Sequence, residues 1–111
     1  MTQWFRCYWD EEDMWFCFEV DSDGWVTRQV ELRGPHEEPV AAASLAEWEA
    51  ALADGTLEAY ESVFGATAEV PVQEWDGHDP HDLGVDEFEA IWLAARTACR
   101  ARARINPVSG A

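Results

Sequence analysis

The chain has 111 residues, 48% hydrophobic and 27% charged, which is enough apolar mass for one core and too little length for two. Seven tryptophans, five phenylalanines and two tyrosines give it bulky side chains to bury, which excludes a wholly disordered chain, and the composition fits neither collagen nor a coiled-coil rod. A formal net charge of −16 disfavours nucleic acid as a partner, because affinity for phosphates comes from cationic side chains displacing counterions.

The first element is an aromatic-rich strand from Trp4 to Trp9, interrupted by Asp10-Glu11-Glu12-Asp13 and resumed from Met14 to Val20. A turn centred near Glu12 would set Cys7 opposite Cys17. Asp21-Ser22-Asp23-Gly24 is a tight-turn signal, and Trp25 to Leu32 then alternates with period two. Val26, Val30 and Leu32 share one face with Arg28, while Trp25, Thr27, Gln29 and Glu31 take the wetter one. Gly34 to Pro39 reads as a loop. Ser44-Leu45-Ala46-Glu47 has the S-x-x-E pattern of a capping box, which starts a helix at Leu45 that Asp54-Gly55 stops, with Leu45, Trp48 and Leu52 on one stripe. Leu57 to Phe64 forms a second short helix ended by Gly65. Pro71 reduces Glu69–Trp75 to an edge strand at best, and Asp76 to Asp82 reads as irregular. From Asp86 the positions Phe88, Ile91, Trp92, Ala95 and Cys99 recur at helical spacing. The helix begins with acids and ends with arginines, which complements its dipole without any ligand.

These elements predict an α+β fold: an antiparallel meander of three to four strands, with helices packed on one face and a long C-terminal helix. Residues 1–104 make the single acidic domain, and residues 105–111 a flexible tail. No stretch approaches the ~20 apolar residues of a membrane helix, so no membrane partner is expected. There is no visible secretory signal, and three cysteines are an odd number, so the thiols are read as reduced and the chain as cytoplasmic.

The most chemical-looking stretch is His78-Asp79-Pro80-His81-Asp82, in which His78, His81 and Asp82 are candidate ligands for a divalent metal. A zinc site needs three or four ligands, and no C-x-x-C or H-E-x-x-H sharpens the case, so a polar loop before the final helix is the plainer reading. The cysteines sit among aromatic and aliphatic residues that raise a thiol pKa, which argues against a nucleophile. Asp21-Ser22-Asp23-Gly24 opens like a calcium loop, but Leu32 stands where an EF-hand has its twelfth-position Glu. No catalytic residue and no cofactor is expected.

All 23 acids and only three of the seven arginines lie within residues 1–95, a net −20 that would draw in a cationic protein at an enhanced, salt-dependent rate. Seven tryptophans exceed what a small core hides, so some are exposed, and Trp25 is the foremost candidate by alternation. An exposed ring beside carboxylates suits a Lys or Arg of another protein, through cation–π contact and ion pairs.

The stretch Glu19 to Glu31, the Glu69-Val70-Pro71 segment and the closing Glu87-Phe88-Glu89-Ala90-Ile91-Trp92 resemble a small bacterial single-domain family, marked by E-x-D-x-x-G-x-x-x-R-x-V-E and E-F-E-x-x-W. The resemblance spans roughly residues 4–95 and carries no established activity or catalytic residue. It draws attention to Arg28, whose expected role is to pair with a helix carboxylate inside the fold.

The resulting expectation is a non-enzymatic interaction module, in its most concrete form an immunity- or antitoxin-like inhibitor that binds a basic partner protein such as a toxin. Its expected contact residues are Trp25, Asp21, Asp23 and Glu31. The alternative is a small enzyme or metal-binding protein of a biosynthetic pathway, centred on the His78–Asp82 loop. The sequence specifies no oligomeric state.

Overall fold

Three strands form the expected meander in the computed structural model, which describes residues 1–105: β1 (Gln3–Trp9), β2 (Met14–Val20) and β3 (Val26–Arg33). The acidic turn closes β1 onto β2 with Asp13 at a φ of 51°, and the Gly34 amide donates to the Asp13 carbonyl at 2.8 Å. This turn pairs Cys7 with Phe16 and Arg6 with Cys17, one residue away from the expected register. A shift of one residue reverses the face of a side chain, so Cys7 and Cys17 belong to different apolar clusters instead of facing each other.

Two further strands complete an antiparallel sheet of order β4-β3-β2-β1-β5. The first is β4 (Glu38–Ser44), whose first two residues fall in the expected loop. The second is the two-residue β5 (His81–Asp82), inside the stretch read as irregular, which pairs with Arg6 and Phe5 at the β1 edge. The helices α1 (Leu45–Asp54) and α2 (Leu57–Phe64) have the expected limits, and α3 runs from Val85 to Ile105. Ile105 therefore belongs to the last helix; the rest of the expected tail, 106–111, lies outside the described residues.

Local chemistry explains these boundaries. Ser44 accepts the Glu47 amide at 3.1 Å and so caps α1, and Gly55 ends it in the left-handed conformation; the other half of the expected capping box is not formed, because the Ser44 amide donates to the Tyr60 hydroxyl and the Glu47 carboxylate accepts from Arg96 and Tyr60. Within α1 the buried residue is Ala51, while Leu52, expected on the inner stripe, is exposed. Glu87 accepts the Gly84 amide at the start of α3. Among the described residues, no helix is long and apolar enough to cross a membrane.

The sheet is apolar on both sides. On the first face, Cys17, Val30, Leu32 and Ala42 pack against Phe88, Ala95 and Cys99 of α3. On the second face, Phe5, Cys7, Phe18, Val20 and Val26 form a separate cluster covered by Ala68, Val72 and Trp75. Val26 is thus on the opposite side from Val30 and Leu32. The register slips between Glu19 and Val20, and the extra residue at Thr27 in β3 reverses the side chain before it.

The cover of the second face is the segment 65–80, a strap that crosses the sheet from β4 to β1. Its Ala68 amide donates to Gln29 Oε1 at 2.8 Å, and its Val72 amide to the Gly24 carbonyl at 2.8 Å. Pro71 leads into a 3-10 turn, Val72–Glu74, where an edge strand was the most the sequence allowed. Gly24 has a φ of 88°, and a Cβ built there would lie 1.8 Å from Gln73 Oε1. Gly24→Ala is therefore expected to cost about 1–2 kcal/mol and to loosen the strap, read as faster amide exchange at Val72 and Ala68.

Candidate functional site

The strap leaves part of the second face open, and this opening is the candidate site. It is a groove of about 290 Å³ beside Trp75, between the strap and the β1–β2 hairpin. Its floor is Cys7 with Phe16 and Phe18, whose rings stack at 6.2 Å and 6°. Trp9, Trp75 and His78 make its walls. Trp9 stands edge-on to Phe16 at 6.5 Å, and Trp75 packs on Phe18 at 4.9 Å. Trp9 is 54% exposed and was not singled out by sequence reasoning; its place as the last residue of β1, before an acidic turn, was the available signal.

The deep polar groups of the groove are already bonded. Gln29 accepts from Ala68 through Oε1 and donates through Nε2 to Glu31 at 3.2 Å. Burial first, and then the Asp79 charge, push the Cys7 thiol up, against a lowering by a hydrogen bond with the Asp79 backbone. Burial pushes the Cys17 thiol up to about 12, against a smaller lowering by Arg6. Native protein is therefore expected to react with a disulfide reagent at pH 8 at least about tenfold more slowly than free cysteine, and to titrate three thiols once unfolded. A fast-reacting native thiol would contradict this burial.

No carboxylate is among the lining residues, but Glu31 accepts from Gln29 of the lining and Asp79 follows His78 of the wall. Glu31 is held above the usual carboxylate range, by burial first and by the nearby Glu12 charge, against the Gln29 hydrogen bond and Arg33. No arginine is among the lining residues. Arg6 lies over Trp15, while Arg28 and Arg96 are tied to α3 and α1 carboxylates behind the sheet.

A second hollow, of about 310 Å³, opens beyond Ala68, which lines both. Trp25 and Trp48 stand in its wall with Leu45, Thr67 and Glu69. Trp25 is 41% exposed, and the Trp48 indole donates to Glu61 at 2.8 Å.

The structure brings only part of the sequence-derived contact set together. Trp25 and Asp23 share the Asp21–Gly24 turn region, but the Asp21 carboxylate accepts the Asp23 and Trp25 amides at 2.9 and 3.0 Å and is occupied in shaping that turn. Glu31 lies six residues along β3 from Trp25, about 20 Å at strand rise, next to Gln29 of the groove. Arg28 has the role drawn from the resemblance: it bonds Glu89 of α3 and also Glu19 of β2.

His78, His81 and Asp82 are dispersed. The His78 ring packs on Phe5 and Trp75 of the second face, at 6.2 and 5.5 Å. His81 packs on Trp15 of the first-face cluster at 5.8 Å, with Asp79 at 3.5 Å from its Nε2. Asp82 pairs across with Phe5 in β1. Among the described residues, no group of three or more His, Cys, Asp or Glu side chains is placed to hold a metal ion. No family model, curated protein or solved structure matches the chain, so the residues of the strap face carry the functional argument alone.

Proposed function

We propose that the protein is an acidic interaction module that binds a basic partner protein through the strap face of its sheet. The observation that carries this reading is the aromatic groove beside exposed Trp9, with Glu31 bonded to Gln29 of its lining and no arginine in that lining, on a chain of net charge −16. Aromatic anchors ringed by charge are the usual anatomy of a binding hot spot, and the field of the acids speeds encounter with a cationic surface. The Trp25–Trp48 hollow extends the same face and offers indole rings to a cation.

In its most concrete form the module is an immunity- or antitoxin-like inhibitor that covers the basic site of a toxin. Charge and exposed rings support that form, and they favour a protein over a nucleic acid as the partner. The test is capture from the native lysate on immobilised protein at low ionic strength, with release by a salt gradient. One basic protein held in stoichiometric amount, and not held by a Trp9→Ala column, is the expected result. Equal retention by both columns, or none by either, would contradict the reading.

A further inference from the structure

We propose that the groove seats one aromatic side chain of a cationic peptide segment, whose flanking Arg or Lys side chains meet Glu31, beside Gln29 of the lining, and Asp79, beside His78 of the wall. The inference rests on the interaction reading above and specifies what the partner presents.

Size is the first argument. A volume of about 290 Å³ lies at the lower edge of the ~300–1,000 Å³ of cavities that enclose drug-sized ligands, and the groove is open to one side. It suits a single large side chain better than a cofactor. Lining chemistry is the second: Phe16, Phe18, Trp75 and Trp9 surround the space with ring faces and edges, which favours an aromatic guest in an offset or edge-to-face arrangement. Gln29 is held by one bond at each of its polar atoms, to the Ala68 amide and to Glu31, and apart from it and His78 the lining is aromatic or aliphatic side chains and the Cys7 thiol, which offers a polar small molecule little to orient it.

Charge decides between the possible hosts of that guest. A second copy of this chain would bring another −16 against the first, which self-repulsion opposes. A cationic segment reverses that term, and its aliphatic stems can lie along the rings while the charged ends reach the carboxylates.

The test uses three blocked five-residue peptides, Arg-Arg-Phe-Arg-Arg, Arg-Arg-Ala-Arg-Arg and Glu-Glu-Phe-Glu-Glu, titrated into the 15N-labelled full chain. Binding is read from the indole N–H resonances of the tryptophans. The Phe-containing basic peptide is expected to bind about tenfold or more tighter than its Ala counterpart, as burial of one Phe implies, and to shift Trp9 and Trp75 foremost. Trp9→Ala should remove most of that preference; Trp9 is exposed, and an unchanged melting temperature shows that the fold is kept. Equal affinity of the two basic peptides would overturn the groove inference while leaving a basic partner standing. Failure of both to bind would overturn the inference and the interaction reading together. Binding of the acidic peptide as tight as that of the basic one would overturn the charge argument.

Discussion

Replacing Arg28 with alanine is expected to destabilise the chain by about 3 kcal/mol, a large fraction of the stability of a domain this size. Arg28 is four-fifths buried between β2 and α3. Its Nε and one terminal nitrogen bond Glu19 at 2.9 and 2.5 Å, and its guanidinium also bonds Glu89 while lying 5.0 and 5.1 Å over the rings of Phe88 and Trp92. Glu19 is equally enclosed, and it also accepts from the Trp4 indole at 3.0 Å and the Thr27 hydroxyl at 2.8 Å. Removing the arginine leaves that carboxylate buried without its cation, which is where the cost arises. The double variant Arg28→Met, Glu19→Gln should recover more than half of the loss, because the amide oxygen still accepts from the Trp4 indole, its NH2 donates to the Thr27 hydroxyl in place of the present bond, and the group carries no charge. Urea unfolding with an unchanged slope measures both; a loss below about 1 kcal/mol for Arg28→Ala would show that the network contributes little.

Arg96→Met is expected to cost about 2–3 kcal/mol, although methionine keeps most of the volume. Arg96 is 6% exposed on the inner face of α3. It holds Glu47 by two hydrogen bonds of 2.7 and 3.0 Å, donates to the Ala42 carbonyl at 3.0 Å and lies 3.8 Å over the Phe64 ring, so one side chain fastens α1, β4 and α2 to α3. Methionine leaves the Ala42 carbonyl without this donor. Lysine should not rescue, since a point charge makes neither the paired bonds nor the stacking. Thermal unfolding of the Met and Lys variants checks this: similar losses are expected, and full recovery by lysine would contradict the geometry.

Both networks set the response to acid. Hydrogen bonds from Arg28 hold Glu19 below the usual carboxylate range, against burial; at Glu47, burial pulls upward and the bonds from Arg96 and Tyr60 outweigh it, so that its value is lowered. A lowered folded value means stability that is present above the ordinary carboxylate range and is lost as pH falls through the folded value. Glu31 has the opposite sign: its raised value makes the folded chain take up a proton first, so acidification through that window favours folding at this position. Arg28→Ala and Arg96→Met should therefore lose less stability on acidification than the parent chain does.

The main elements were legible because their signals are local. Aromatic β-formers separated by an acidic turn, the Ser44–Glu47 cap and the stripe from Phe88 to Cys99 need no tertiary context. What escaped depends on distant partners. In β4 the run Val40 to Ala43 has neither alternation nor bulk; its alanines are buried, with Ala42 under the α3 contacts. The two residues of β5 are extended because β1 offers an edge, and no propensity of their own reports that. The bulge at Thr27 adds one residue without any Gly or Pro to mark it. The site escaped for the same reason: Trp75 is far in sequence from Trp9 and Phe16 of the hairpin, and only the strap brings it there. Trp25 was legible as an exposed ring, but its companion Trp48 was read as part of an inner helical stripe.

That the strap face is the binding face is tested most directly by amide hydrogen exchange, with and without the basic protein retained at low salt. Slowed exchange is expected over residues 7–9, 16–18 and 66–79, with the outer surface of α3 unchanged. Slowing confined to α3 or to β4, with the groove residues exchanging as before, would place the partner elsewhere and contradict the reading.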